Sequence, residues 1–207
     1  MREAVAAAER RTSGEIVPYV VRASGRYDVA IWRGAALGAA LAGAALLAVG
    51  ALYDGWGLSW LYSAWATEGA MLGGGTAGAL AVWLADPLRR FLAGGALVEE
   101  TVHRRAAQAF ADEEVFATRD RTGILLFVSL FEHRIEVVGD RGINDRVRPE
   151  EWVEVVDLLR AGILRGDLAG GLVAAVDRCG ELLQRRDVIR RDDDTDELSD
   201  DVRLRER

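Results

Sequence analysis

The chain has 207 residues, of which 50% are hydrophobic and 29% are charged, and its formal net charge is −7. The middle of the chain is nearly uncharged, whereas the segments on either side of it are charge-dense. This distribution excludes a uniformly soluble chain and a wholly disordered one. It also excludes nucleic acid as a partner, since residues 99–184 carry eleven Arg against seventeen acids and would repel phosphate.

The residue types that most often carry chemistry are scarce. Cys179 is the one cysteine, His103 and His133 are the only histidines, and every basic residue is Arg. These counts exclude a disulfide framework, a cysteine metal cluster and Lys-based chemistry, and they disfavour a Ser-His-Asp triad. Any chemistry must therefore rest on carboxylates and Arg, with or without a bound cation.

The first predicted elements are a short helix and a strand. Residues 1–12 are Ala-rich and precede Gly14, which predicts a helix and its stop. Residues 15–22 are apolar and β-branched, which predicts a strand, and Pro18 within it indicates a lateral edge or a bulge. A lone strand is unstable, so its partners must come from beyond the apolar middle of the chain.

The apolar middle predicts a transmembrane hairpin over residues 29–98. Residues 34–53 carry no charge, and twenty residues at about 1.5 Å each cross the roughly 30 Å hydrocarbon core. Residues 69–85 form a second apolar run, and the Trp and Tyr residues between the two runs are typical of an interfacial belt. Small residues at four-residue spacing would let the two helices pack closely. They are Gly34 and Gly38, Ala39 and Gly43, and Gly74 and Gly78.

The positions of Arg predict the orientation of this hairpin. Arg22, Arg26 and Arg33 precede the first span, Arg89 and Arg90 follow the second, and the loop between the spans has no Arg. By the positive-inside rule, both termini of this multi-pass protein of the cell (inner) membrane are expected in the cytoplasm. No ionisable residue lies in mid-span, which disfavours a transporter.

Residues 99–184 predict the rest of an α/β domain that residues 1–28 begin. The expected elements are a helix over 101–117, strands over 123–131 and 134–138, and helices opened by Pro149 and Asp167. The two strands are separated by the turn at residues 132–133. Residues 185–207 have mixed charge and little apolar content, which predicts a disordered tail.

This order of elements brings several acids to one end of the predicted sheet. Strands joined by a crossover run parallel, so Glu15 and Asp120 should lie at the same height. Pairing about the turn at residues 132–133 then sets Asp120 opposite Asp145 and Ile124 near Arg141, with Asp140 at the same end. Because Ca²⁺ prefers several oxygen ligands, a divalent cation is one hypothesis for this end. The candidate ligands are Glu15, Asp120, Asp140 and Asp145.

Two other interpretations of these acids stay open. Neighbouring Arg side chains could pair with the acids in an ordinary surface network, which is the commoner arrangement of mixed charges. Alternatively, the same Arg side chains could bind phosphate, because a planar guanidinium group matches phosphate bidentately.

Three motifs carry a resemblance to a known family. The first is residues 123–143, GILLFVSLFEHRIEVVGDRGI, which combine an apolar strand, a charged turn, R-I-E-V-V and G-D-R-G-I. The second is residues 166–172, which read G-D-L-A-G-G-L. The third is residues 12–17, which read T-S-G-E-I-V. These motifs resemble the TPM domain family over roughly residues 1–24 and 99–184, and the inserted hairpin is similar to that of a bacterial membrane-protein branch. The resemblance implies a small three-layer α/β/α sandwich interrupted by the two-helix hairpin. It also implies acid phosphatase-like activity or calcium binding, as found among other members.

Two classes of function follow from these observations. As a binding or scaffolding module, the cytoplasmic domain would dock a protein partner, while the hairpin contacts the lipid bilayer and provides a surface for self-association. As an enzyme, the protein would be a metal-assisted phosphatase in which Ca²⁺ or another divalent cation polarises phosphate. The sequence has no Walker A, DxDxT or CxxxxxR motif, so the module is the preferred hypothesis.

Overall fold

The structure, a computed structural model, describes residues 2–52, 60, 63–188, 197–199 and 201–206. It is a mixed α/β structure with a four-stranded sheet and a majority of helices. The chain forms two compact units. One consists of Met1–Ser24 and Glu100–Arg207, and the other of Gly25–Glu99.

The sheet is built from strands that precede and follow the helical unit in the sequence. Its strands are β1 (Glu15–Val21), β2 (Gly123–Ser129), β3 (Arg134–Gly139) and β4 (Arg203–Arg205), in the order β3-β2-β1-β4. Strand β1 runs parallel to β2 and to β4, whereas β3 is antiparallel to β2. The parallel pairing of β1 with β2, expected from the crossover between them, is confirmed.

The helices lie before, between and after these strands in the sequence. They are α1 (Arg2–Glu9), α2 (Asp28–Leu52), α3 (Ala64–Leu84), α4 (Asp86–Ala93), α5 (Gly95–Asp112), α6 (Arg141–Asn144), α7 (Val153–Leu164) and α8 (Leu168–Arg185), with a 3-10 helix at Pro149–Trp152. Helix α5 ends earlier than the predicted residue 117, because Glu114 adopts a positive φ of 51°. Asp167 caps α8 as predicted, since its side chain accepts a hydrogen bond from the Gly170 N–H.

Strands β1 and β2 are buried along their whole length, which explains their continuous apolar sequences. Alternate residues of both strands, such as Ile16 and Leu126, join a core formed with α1, α7 and α8. The intervening residues face the other side, where Tyr19 stacks on Phe127 with ring centroids 5.7 Å apart. Burial of each large apolar side chain contributes about 1.5–3 kcal/mol to stability, so these two strands organise the domain core.

The turn between β2 and β3 is longer than predicted, and this shifts the register. The strands end at Ser129 and resume at Arg134, so that four residues form the loop, and the last of these, His133, has a φ of 53°. Ile124 consequently pairs with Gly139 rather than lying near Arg141. The predicted register was wrong by two residues, because a two-residue turn was assumed where the left-handed conformation of His133 closes a four-residue one.

The C-terminal segment contributes a strand where a disordered tail was expected. Arg203–Arg205 pairs with Tyr19–Val21 as β4, and the Arg22 N–H donates to the Arg205 carbonyl over 3.1 Å. Pro18, which has no N–H to donate, lies just before the residues of β1 that pair with β4. Residues 189–196, 200 and 207 of the predicted tail lie outside the described residues.

The helical unit contains α2, α3 and α4. Gly38 and Gly74 approach so closely that a Cβ atom on either glycine would overlap the backbone carbonyl of the other, and Gly34 and Gly78 approach in the same way. This is the close packing that the small-residue spacing predicted. The ends of the predicted spans, at residues 53 and 85, differ from the observed ends at Leu52 and Leu84, and residues 53–59 and 61–62 lie outside the described residues.

Within the described part of the chain, one helix is long and apolar enough to cross a membrane, and it is α2. None of the most apolar stretch of α2 is buried. Its large apolar side chains are exposed, among them Leu41 at 69% and Leu47 at 73%. By length and composition, α2 is therefore a candidate membrane span.

Candidate functional site

The four predicted site acids lie near the amino ends of the parallel strands, but in different environments. Glu15 begins β1 and pairs in register with Gly123, whose carbonyl accepts a hydrogen bond from the Asp140 N–H over 2.9 Å. Glu15 and Asp140 are buried, whereas Asp120 and Asp145 are exposed. We call this region, defined by Glu15, Asp120, Asp140 and Asp145, the amino end.

Asp140 is the most constrained acid of the amino end. Its Oδ1 atom accepts hydrogen bonds from the Arg141 N–H over 2.7 Å and from Nη2 of Arg121 over 3.2 Å. Its Oδ2 atom lies 2.7 Å from Nε of Arg121. Asp140 therefore caps α6 and forms an ion pair with Arg121, which is the Arg-paired alternative left open by the sequence.

Gly142 explains how Arg121 reaches Asp140. The Gly142 N–H donates to the Arg121 carbonyl over 2.9 Å, and a Cβ atom at this position would overlap the Asp120 carbonyl oxygen. Only glycine permits this approach of α6 to the segment before β2. The second glycine of the G-D-R-G-I motif thus holds α6 against residues 120–121, and Asp140 with it.

Glu15 contacts the C-terminal segment. Its Oε1 atom accepts a hydrogen bond from the Glu197 N–H over 3.3 Å, and the Glu197 carboxylate accepts one from the Arg119 N–H over 2.9 Å. Asp145, by contrast, lies beyond α6 with its carboxylate 3.9 Å from Nε of Arg141. The amino end is therefore a set of separate pairings along one side of the sheet.

The donor set of the amino end does not fit a calcium ion in this arrangement. Among the described residues, no group of three or more His, Cys, Asp or Glu side chains is placed to hold a metal. Calcium needs six to eight oxygen ligands, and the Asp140 carboxylate is already paired with Arg121 and accepts the Arg141 N–H at Oδ1. Cation binding at Asp140 would have to displace Arg121 first.

A second polar cluster lies at the opposite ends of the same strands. The Glu132 side chain is 5% exposed; its Oε1 atom accepts the Ser24 N–H over 2.8 Å and its Oε2 atom accepts the Ser129 hydroxyl. The hydroxyl oxygens of Ser24 and Ser129 are 2.7 Å apart. We call Ser24, Ser129 and Glu132 the carboxyl end.

The carboxyl end fixes the place where the chain leaves the domain. Ser24 is the last residue of its unit before the inserted helical unit begins at Gly25. Ser129 is 1% exposed, so its hydroxyl is inaccessible to a substrate despite its contact with a carboxylate. The arrangement is therefore suited to holding Ser24 in place and is unsuited to nucleophilic catalysis.

Sequence reasoning missed this cluster because Glu132 occupies a turn, where a charged residue ordinarily faces solvent. One signal was available. Ser129 is the single polar side chain in the strand GILLFVS, and a hydroxyl in a buried strand needs a partner nearby. The acid three residues later supplies that partner.

Cys179 is excluded as a nucleophile by its surroundings. It is fully buried on α8 among the core residues. Burial raises the pKa of its thiol well above the ordinary value, so the reactive thiolate is not populated at neutral pH.

Comparison with known proteins supports the fold alone. No protein-family model matches the chain, and no curated protein does. The NMR structure of the BA42 protein from the psychrophilic bacterium Bizionia argentinensis is similar, with a TM-score of 0.55 and 17% sequence identity over 98% of this chain and 88% of that one. At this identity, the likeness establishes a shared fold.

Proposed function

We propose that this protein is an integral membrane protein whose α/β domain is a TPM-like docking module in the cytoplasm. The anchor is a two-helix hairpin formed by α2 and α3, which contacts the lipid bilayer and offers a surface for self-association. The observation that carries the proposal is the exposure of α2, whose most apolar stretch is entirely unburied. An exposed apolar surface of this extent needs a membrane or a partner to cover it.

The packing of α3 on α2 supports a hairpin rather than a single span. Glycines of both helices bring the backbones into contact, and large side chains of α3, such as Leu72 and Trp83, are exposed on its surface. The position of α2 argues against a cleaved leader, because cleavage there would remove β1 from the centre of the sheet. Arg residues before α2 and after α3 favour cytoplasmic termini.

Two features support the TPM-like assignment of the domain. The motif that carries the resemblance, residues 123–143, builds β2, the turn, β3 and the start of α6. Both faces of β1 and β2 are buried, with α1, α7 and α8 on one face and Arg105 of α5 donating to the Tyr19 hydroxyl on the other over 3.3 Å. This arrangement is the one expected of a three-layer α/β/α sandwich.

The pairing at the amino end favours a docking module over a metal-assisted phosphatase. A phosphatase of that type needs carboxylates free to hold the cation, whereas the Asp140 carboxylate is engaged by Arg121 and by the Arg141 N–H. We expect no turnover of a chromogenic phosphate ester by the purified full chain. Turnover that is lost in both Asp120→Ala and Asp140→Ala proteins would favour the phosphatase instead.

Membrane anchoring is tested by alkaline carbonate extraction of membranes containing the full chain. We expect the wild-type protein to stay in the membrane pellet and a Leu41→Arg/Leu47→Arg variant to be released, because each Arg in mid-span costs about 2.5–3.5 kcal/mol. Trp32→Arg, close to the start of α2, is the matched control and should stay in the pellet. Release of the wild-type protein would contradict the proposal.

Orientation is tested separately with reporter fusions at the two termini and at residue 60. We expect both terminal fusions to report the cytoplasm and the fusion at residue 60 to report the opposite side. Terminal fusions that report the opposite side would overturn the cytoplasmic placement while leaving the anchor intact.

A further inference from the structure

The outer edge of β1 is occupied by a strand from the C-terminal end of the same chain. Strand β4 covers three of the seven residues of β1, and the Arg22 N–H extends the pairing by one hydrogen bond. Residues 15–18 of β1 extend beyond the register of β4. A three-residue edge strand is at the short limit of what a sheet retains, so other contacts must hold it.

Charge holds β4 in place. Arg203 and Arg205 are two residues apart and therefore project from the same face of the strand. Both reach the carboxylate of Glu113, Arg203 through Nε at 3.1 Å and Arg205 through Nη2 at 3.2 Å. The Glu113 side chain is only 16% exposed, so a single largely buried acid binds both guanidinium groups.

Apolar burial within β4 itself is small, although Val202 just before it packs against the domain core. Leu204, between the two Arg residues, is 71% exposed. It borders an open groove of about 340 Å³. The lining residues are Val20, Arg22, Leu130, Leu204, Arg205 and Glu206. The strand is thus held by backbone pairing, by charge and by the adjoining Val202, with room beside Leu204 for a larger apolar side chain.

We propose that the outer edge of β1 together with Glu113 is a docking site for an extended partner segment with the pattern Arg-apolar-Arg, which adds parallel to β1 and displaces β4. Strand addition supplies affinity through backbone hydrogen bonds, and alternate side chains supply selectivity. Here Glu113 selects the two Arg residues, and the groove receives the apolar residue between them. The inference rests on the proposed docking function and names the segment that docks.

Strand β4 competes with the partner segment for the edge of β1. While β4 occupies the edge, a partner segment binds only the fraction of molecules in which β4 has left, which lowers its apparent affinity by that fraction. Weakening β4 should therefore strengthen binding in trans.

The test uses the full chain in detergent and a fluorescent peptide with the sequence of residues 197–206. In the Arg203→Glu/Arg205→Glu variant, repulsion by Glu113 should release β4, and the peptide should bind at least about tenfold more tightly than it binds the wild-type chain. Equal binding to both chains, or no binding to the variant, would overturn the proposal. Protection of β1 and β2 amides from hydrogen exchange verifies that the variant is folded.

A charge reversal provides the matched control. The wild-type peptide should lose binding to a chain that carries Glu113→Arg, and a peptide with Glu at both Arg positions should bind that chain. Binding of the wild-type peptide that is insensitive to Glu113→Arg would overturn the role of Glu113. Dimers of the wild-type chain that Glu113→Arg abolishes would support the proposal and identify the displacing segment as the same strand of a second copy.

These outcomes are separable from those of the proposed function. If the peptide assay fails with a chain that resists carbonate extraction, the docking site at the β1 edge is rejected and the membrane-anchored module is retained. If the chain is released from membranes, the proposed anchor is rejected, and the docking site at the β1 edge is still tested by the peptide assay.

Discussion

The two ends of the parallel strands hold their buried acids with different partners. At the amino end, Asp140 is paired with Arg121, an arginine that is itself half exposed. At the carboxyl end, Glu132 is buried and accepts hydrogen bonds from the Ser24 N–H and the Ser129 hydroxyl. The amino end also carries two exposed acids, Asp120 and Asp145, whereas the single acid of the carboxyl end is buried.

This difference shows what a buried carboxylate does in the domain. A charge taken out of water is tolerated when hydrogen bonds satisfy its oxygens, and Glu132 uses both oxygens to connect β2 with the residue that precedes the helical unit. Asp140 is also buried, but it caps the short helix α6 and pairs with the half-exposed Arg121. We therefore expect the carboxyl end to matter more for stability than the amino end.

The largest expected effect is that of Glu132→Ala. Removal of this acceptor leaves a buried hydroxyl and a backbone N–H without their partner, and we expect a loss of about 2–4 kcal/mol in the free energy of unfolding. Exchange protection of the β1 and β2 amides in the full chain measures this loss. Glu150→Ala, at an exposed position, is the control and should change stability by less than about 0.5 kcal/mol.

Glu132→Gln refines the same prediction. The amide retains one acceptor oxygen, so the loss should fall to about 1 kcal/mol. A Gln variant as unstable as the Ala variant would indicate that the charge of Glu132, rather than its hydrogen bonds, is what the carboxyl end requires.

A smaller effect is expected at the amino end. Asp140→Ala removes a helix cap and an ion pair, for which we expect a loss of about 1–2 kcal/mol. A double-mutant cycle with Arg121→Ala should give a coupling below about 1 kcal/mol, because solvent screens the exposed guanidinium group. A loss for Asp140→Ala that exceeds the loss for Glu132→Ala would reverse the ranking of the two ends.

Sequence patterns predicted the strands that are buried on both faces. Continuous apolar runs identify β1 and β2 because neither face of these strands is open to solvent, and Asp167 marks the start of α8 through its cap. The parallel pairing of β1 with β2 followed from the crossover between them.

The remaining features depend on tertiary contacts that leave no periodic signal. The register of β3 depends on the conformation of His133, and the burial of Glu132 depends on the chain at Ser24, which is 108 residues away. Strand β4 is charged and three residues long. Its partner Glu113 lies 90 residues from Arg203, so composition alone predicted disorder.

Calcium tests the amino end more directly. A site with a dissociation constant of about 10⁻⁴–10⁻³ M would stabilise the folded chain by about 1–2 kcal/mol at about 5 mM calcium. Because Arg121 engages Asp140, we expect the melting temperature to change by less than about 1 °C. An increase of several degrees that Asp140→Asn abolishes would instead establish the cation site.

The smallest expected effect concerns pH and the C-terminal segment. The hydrogen bond from Arg2 to Asp201 lowers the pKa of that carboxyl below its ordinary value of 3.8. A depressed pKa stabilises the folded state above the ordinary value, and this stabilisation is lost as the pH falls through the lowered one. Protection of the β4 amides should therefore decrease below pH 4 in the wild-type chain, and in an Asp201→Asn chain it should be weaker at neutral pH and change less on acidification. A pH dependence that is unchanged by Asp201→Asn would contradict the role of this carboxyl.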